Sequence, residues 1–157
     1  MANTSRHQTI LDTIQTAIRA AGLVDIRDEQ VVIRTNAEHY NKWIDSKQPG
    51  IILSPIGTEK INVKSPGTNA SDDIGYPVLI SIVDDVLPSH SNVHQDKRLF
   101  WREKIIDTFI HFRLAGAINY DIDVVPGPIV EPGAWTQQRK FLSIIELTVT
   151  QRVQRRA

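Results

Sequence analysis

The sequence contains no cysteine. This excludes disulfides, a thiolate nucleophile and zinc sites with sulfur ligands. The sequence therefore does not indicate whether the protein works in an oxidising or a reducing compartment. The chain also lacks an excess of charge of either sign, because 18 Lys and Arg residues balance 18 Asp and Glu residues. Without a positive field over the whole protein, any contact with nucleic acid or with an anionic membrane has to be local.

Long apolar runs are absent as well. No stretch approaches the roughly eighteen apolar residues of a membrane span, and the beginning, MANTSRHQT, lacks the apolar core of a secretion signal. We therefore expect a soluble protein without a membrane partner, made and kept in the cytoplasm. The 157 residues suit a single domain, and 41% apolar with 23% charged residues is an ordinary globular composition.

The motifs of common enzyme chemistry are missing. The sequence has no phosphate-binding glycine loop, no nucleophile elbow and no H-E-x-x-H pattern. Paired acids occur at Asp72 and Asp73, in a segment rich in turn formers, and at Asp84 and Asp85, which we interpret as a solvated strand end. We predict that the protein is not an enzyme and that it has no catalytic residues, cofactor or metal.

The histidines come nearest to a metal site. His90 and His94 are four residues apart, a spacing that brings two ligands together only on a helix. The Pro and Ser residues around them argue against a helix, so we interpret both as solvated loop residues. His111 lies within a predicted helix, where a packed or half-exposed histidine is the favoured interpretation.

The chain ends in a long alternating segment. From Phe141 to Ala157, apolar residues fall on one side of a strand and the other side becomes polar toward the end. Such a strand is about twice the usual length, so we expect its far end to extend beyond its own sheet toward a partner. The basic residues around it are candidates for a subunit interface, with nucleic-acid contact and solvation as alternatives: Arg139, Lys140, Arg152, Arg155 and Arg156.

The remaining patterns predict an α+β domain with a mostly antiparallel, mixed sheet. Helical spacing indicates a first helix over Ile10–Ala21, capped by Thr4 or Ser5, and a long helix over 95–114 that covers the sheet. Further strands are expected in five segments: Gln30–Arg34, Gly50–Ser54, Lys60–Lys64, Tyr76–Asp84 and Asp121–Val125. The turn residues between the second and third of these favour a hairpin.

Several segments have the composition of loops. Turn formers predict a flexible loop over about 65–75, and we expect a flexible start over about 1–7 and a basic tail over about 152–157. The Pro- and Gly-rich segment 126–135 is typical of a rigid loop. Its Trp135 is either an interface anchor or a cap on one edge of the core, whereas Trp43 and Trp101 are expected in the core.

The order of these elements resembles that of the tail terminator, or tail-completion, proteins of tailed bacteriophages. The likeness rests on the first helix, the strand YPVLISIV, the helix RLFWREKIIDTFIHF and the closing strand FLSIIELTV, and it covers most of the chain as architecture. It implies a structural virion protein, assembled in the host cytoplasm, that forms a hexameric ring on the tail tube and joins tail to head.

The resemblance also implies the partners. These would be other copies of the chain, the tail tube, the neck or connector proteins, and DNA that passes through the lumen without being read for sequence. The loops 65–75 and 126–135 would then be candidates for ring, tube or neck contacts. Two alternatives stay open: another neck or connector protein, and a cytoplasmic α+β module that binds a peptide or small ligand.

Overall fold

A computed structural model of the chain describes residues 5–34, 49–62, 71–85, 92–110, 120–137 and 140–154. Three helices and six strands in this part of the chain form a single α+β unit, as predicted. A 3-10 turn at Asp28–Gln30 precedes the first strand. In chain order the elements are α1 (Arg6–Ala20), β1 (Val31–Ile33), β2 (Gly50–Ser54), β3 (Lys60–Ile61), β4 (Ser71–Asp85), α2 (Asn92–Ile110), β5 (Tyr120–Pro126), α3 (Pro132–Gln137) and β6 (Lys140–Gln154).

The six strands belong to one sheet. Its order is β1-β2-β4-β6-β5, and β3 pairs with β4 on the same side as β2. Only the β1–β2 pair is parallel among these strands, and the other pairs are antiparallel. The prediction of a mixed, mostly antiparallel sheet is therefore confirmed.

The centre of the sheet is the pair of long strands β4 and β6. They are paired over their whole length, from Ser71 opposite Gln154 to Asp85 opposite Lys140. The predicted length of the last strand is confirmed, but the expectation that its end extends beyond its own sheet is wrong. Strand β4 is equally long, and β6 lies inside the sheet between β4 and β5.

One face of the sheet carries the main core. Alternate residues of β6 point into it, and Phe141, Ile145, Leu147 and Val149 are buried there as their spacing predicts. Helices α1 and α2 supply the other side of this core. Trp101 of α2 is buried, as expected, and its indole N–H donates to the carbonyl of Val24 at 2.7 Å.

Helix α1 begins and ends at its predicted signals. The hydroxyl of Ser5 accepts from the backbone N–H of Gln8 at 3.0 Å, and Gly22 follows the last turn with φ +70°. The prediction of a flexible start up to residue 7 is wrong at its end. His7 lies in the helix, and its Nε2 donates to the carbonyl of Pro77 at 2.6 Å.

The predicted hairpin between the second and third strands is also wrong. Strands β2 and β3 do not pair with each other but follow one another along the same side of β4, opposite 79–83 and 74–75. Pro77 lies in the gap between them, where its lack of an N–H removes no bond of the sheet. The connection passes over it at Gly57, where a Cβ would come within 2.7 Å of the Pro77 ring.

Two predicted loops are partly regular structure. Residues 71–75 belong to β4, so they were wrongly assigned to a flexible loop, and residues 152–154 of the expected basic tail belong to β6. In the segment 126–135, Pro132 begins helix α3, and the Glu131 carboxylate accepts from the Ala134 N–H at 2.6 Å. The segments 35–48, 63–70, 86–91 and 111–119 lie outside the described residues, and the expectations for Trp43, His90 and His111 lie there too.

Helix α2 begins at Asn92, so the backbone of His94 is helical rather than part of a loop. Its side chain lies outside the described part of the chain. None of the helices in the described ranges is long and apolar enough to cross a membrane.

Candidate assembly surface

The β1 edge of the sheet is closed by side chains. The register with β2 and the bond from the Arg34 N–H to the Leu53 carbonyl turn the backbone groups of Val31 and Ile33 outward. The Val31 carbonyl accepts from Gln15 Nε2 at 2.9 Å and from Arg19 at 3.1 Å.

Two further outward groups of β1 are also occupied. The Val31 N–H donates to the Asp28 carbonyl, and the Ile33 carbonyl accepts from the Arg34 guanidinium at 2.9 Å. Helix α1 and the neighbouring turn therefore leave little of this edge for another strand.

The β5 edge, at the other side of the sheet, is left open by the described residues. The Gly127 N–H donates to the Ile144 carbonyl at 3.0 Å, and backbone orientation alternates along an antiparallel ladder. The backbones of Asp121, Asp123 and Val125 therefore face β6, while those of Ile122 and Val124 face outward. Neither Ile122 nor Val124 makes a hydrogen bond in that direction with the described part of the chain.

The β3 edge is open in the same way. The Asn62 N–H donates to the Asp73 carbonyl at 2.7 Å, so Asn62 and Lys60 face β4 and the backbone of Ile61 faces outward. The Ile61 side chain is 64% exposed. At this end the sheet has four strands in the order β3-β4-β6-β5, with an open edge on either side.

Polar contacts link the strands at this four-stranded end. The Asn62 side chain accepts from the Asp73 N–H and donates to the Asp72 carboxylate, both at 2.9 Å. Arg152 forms a two-pronged ion pair with Asp73 at 2.9 and 3.2 Å across the β4–β6 ladder. The hydrogen bond with Asp73, and then its charge, raise the pKa of Arg152 above its usual value.

The opposite end of the β5 edge is anchored by a buried arginine. Arg102 of α2 donates to the carbonyls of Gly127, Pro128 and Ile144 and to the Ser143 hydroxyl, at 2.7 to 3.3 Å. Gly127 and Pro128 together lie opposite Ile144 and form a β-bulge. Burial lowers the pKa of Arg102, whose four hydrogen-bond acceptors are all uncharged. This side chain fixes where β5 stops.

A second buried arginine joins the same helix to β4. Arg98 donates to the Asp84 carboxylate at 2.8 Å, and its guanidinium lies 5.3 Å from the centre of the Phe141 ring. The interpretation of Asp84 as a solvated strand end is therefore wrong. This pair orients α2 on the sheet and offers no free group for chemistry.

The sheet face away from α1 and α2 changes character along β6. Near its start, Ile52 and Val83 form a small buried cluster with Val32 and Leu142. Further along β6, this face of the sheet is polar and charged. The side chains that β3 and β5 contribute to it carry charges of opposite sign. By register they are Lys60 beside Gly75, Asp121 beside Thr150 and Asp123 beside Thr148.

The structure does not bring the predicted basic residues together. Lys140 and Arg152 stand near opposite ends of β6, about 40 Å apart along an extended strand. Arg152 is paired within its own chain, which sequence alone did not indicate. Trp135 lies in α3, but its side chain is outside the described part of the chain. Arg139, Arg155 and Arg156 are outside it entirely.

In the described ranges, no group of three or more His, Asp or Glu side chains has the arrangement of a metal site. The candidate functional features are instead the open strand edges, which were not predicted from the sequence. In the sequence, Lys60 and Asn62 are two residues apart, as are Asp121 and Asp123, and this alternation of polar residues was a usable signal. Only the sheet order places these residues on two outer strands.

No protein-family model and no curated protein sequence matches this chain.

Proposed function

We propose that this protein is a structural assembly protein of a tailed bacteriophage or phage-like particle, a tail terminator that acts as a ring of identical copies. The ring would close the end of the tail tube and join it to the neck, and the protein would then reside in the virion. The element order that carries the resemblance supports this proposal: an amino-terminal helix, a long inner strand, a long helix and a long closing strand.

One observation carries the proposal furthest. The four-stranded end of the sheet has an open edge on each side, at Ile61 and at Ile122. An open edge is a template for another strand, and natural monomers usually cover it. Two different open edges on one subunit suit head-to-tail contacts, which form a ring when the rotation between neighbouring subunits closes. The function then lies in surfaces rather than in a pocket.

The mass of the full-length chain in solution tests this proposal. We expect light scattering over a range of concentrations to show a closed ring, or a monomer that becomes a ring at the ends of purified tail tubes. Electron microscopy should show added density only at tube ends, and tube growth should stop there. A chain that stays monomeric and leaves tube growth unchanged would contradict the proposal.

The open β5 edge also favours a second function, the capture of an extended peptide as an added strand. The main-chain groups of Ile122 and Val124 would bind the peptide backbone. A monomer that binds peptides and ignores tubes would support this second function instead of the ring.

A further inference from the structure

We propose that copies of this chain join through their strands, with β3 of one copy pairing antiparallel to β5 of the next so that the sheet continues from subunit to subunit. This inference rests on the proposed ring and names the contact that would build it.

Strand direction allows this pairing. Strand β4 is antiparallel to both β3 and β6, and β6 is antiparallel to β5. Strands β3 and β5 therefore run in opposite directions at the two sides of the same sheet. When a second copy is placed beside the first with the same face forward, its β3 meets β5 in an antiparallel arrangement.

The hydrogen-bonding groups match as well. Ile61 on β3 and Ile122 on β5 both turn their N–H and carbonyl outward, as a hydrogen-bonded pair of an antiparallel ladder requires. With these two residues opposite each other, Glu59 comes opposite Val124, so that Ile122 and Val124 both gain partners. The exposed Ile61 side chain would then lie beside Ile122 on the same sheet face.

Charge favours this register. It places Lys60 of one copy opposite Asp123 of the next, and Asn62 opposite Asp121, all on the sheet face away from the helices. Opposite charges directly across a ladder stabilise the pairing and like charges destabilise it. The Lys60 side chain is exposed and makes no ion pair with the described residues of its own chain.

The other edge combinations fit less well. Pairing β5 with β5 in the two registers centred near Asp123 places acidic side chains opposite acidic ones. Pairing with β1 meets the Gln15 and Arg19 side chains that already occupy the Val31 carbonyl. A contact between unlike edges remains, and it is the kind that propagates around a ring.

Cysteine pairs give a direct test because the natural chain has none. We would make Ile61→Cys and Ile122→Cys in the full chain, separately and together, and oxidise them with glutathione disulfide. Within one subunit these positions are about 15 Å apart, three strand spacings across, whereas a disulfide needs Cα atoms within about 7 Å. Any bridge between them therefore joins two copies.

The proposal predicts a dimer when the two single variants are mixed and a ladder of linked subunits from the double variant. Each single variant alone should stay unlinked. A dimer of Ile122→Cys alone would show β5 against β5 and overturn the proposal, as would a mixture that stays reduced while the chain forms rings. As a matched control on the closed edge, Ile33→Cys mixed with Ile122→Cys should give no linked product.

Charge exchange tests the register. Lys60→Glu should weaken subunit association about tenfold, since it replaces an attraction with a repulsion. Adding Asp123→Lys in the same chain should restore association, whereas Asp123→Lys alone should weaken it. Failure of the double variant to recover, with thermal unfolding unchanged, would overturn the Lys60–Asp123 contact.

The results separate this inference from the proposed function. Rings that form on tube ends while the cysteine pair stays reduced would leave the tail terminator proposal standing and remove the β3–β5 contact. Linked head-to-tail oligomers that ignore tail tubes would do the reverse.

Discussion

The outer strands β1 and β5 differ in whether their outward backbone groups have hydrogen-bond partners. Strand β1 is only three residues long, yet three of its outward groups are bonded to α1, the adjoining turn and Arg34. Strand β5 has seven residues, and the outward groups of Ile122 and Val124 have no partner among the residues that the structure describes. Of these two edges, β5 is therefore the one that the described residues leave unpaired.

The same comparison applies to the side chains. On β1, Val31 is buried and belongs to the core. Beside the open edge, Val125 is 51% exposed and Ile129 is 55% exposed. Exposed apolar side chains next to an unpaired backbone are an aggregation hazard in a monomer. They are an expected feature of a strand that another chain covers.

Proline substitutions on adjacent residues of β5 should give the largest contrast. Asp123→Pro removes an N–H that faces β6 and should cost about 3 kcal/mol of stability or prevent folding. Ile122→Pro removes an outward N–H, so the chain should fold with a smaller loss and fail to assemble. Urea unfolding and light scattering measure the two effects. Equal damage to folding by both variants would show that the outward assignment of Ile122 is wrong.

Removing the buried arginine should loosen the end of the open edge. Arg102→Met removes a donor from three carbonyls and from the Ser143 hydroxyl. The Ile144 and Pro128 carbonyls keep a backbone donor, whereas the Gly127 carbonyl and the Ser143 hydroxyl lose their bond, and we expect a loss of about 3 kcal/mol in the free energy of unfolding. Lys104→Met, at an exposed position of the same helix, is the matched control and should change stability little. A small effect of Arg102→Met would mean that the bulge at Gly127 holds without it.

Opening the closed edge should have a moderate effect. The double change Gln15→Ala with Arg19→Ala removes both side-chain donors to the Val31 carbonyl and should cost about 1 to 2 kcal/mol in urea unfolding. Gln8→Ala is the control, because the Gln8 side chain bonds only Asp12 on the helix surface. If the double variant is as stable as the control, side chains of α1 do not protect this edge.

The ion pair between the open edges should matter least for stability. Arg152→Ala removes an exposed partner of Asp73, and exposed ion pairs contribute little. The raised pKa means that any contribution is complete below the unfolded pKa of arginine and is lost only as the pH rises through the still higher folded value. Thermal unfolding of the variant and the natural chain should therefore differ by the same small amount across neutral and mildly alkaline pH.

Much of the fold was predictable from local patterns. The cap at Ser5, the helix end at Gly22 and the alternation along β6 are local signals, because each depends on neighbours within a few residues. The errors have a common cause. The hairpin of β2 with β3 and the loop at 71–75 were inferred from composition. Strand β3 instead pairs with β4, and residues 71–75 of β4 pair with β6, which lies far away in the sequence.

The candidate surface was the least predictable part. Basic residues near the last strand suggested one interface, yet β6 separates Lys140 from Arg152 by most of its length. The acid at 84 and the arginines at 98 and 102 form structural contacts that no spacing rule connects. An edge cannot be identified from a strand's own residues, since it depends on which strands lie beside it.

The sequence by itself determined the fold class, the positions of the main helices and strands, and which side of β6 faces the core. Residue periodicity carries that information because burial follows the repeat of each element. Only the tertiary structure decided that β1 is closed, that β3 and β5 are open, and that Lys60 and Asp123 lie on opposite edges of one sheet. Which strands pair side by side depends on all the strands of the chain together, so the pairing cannot be inferred from any single segment.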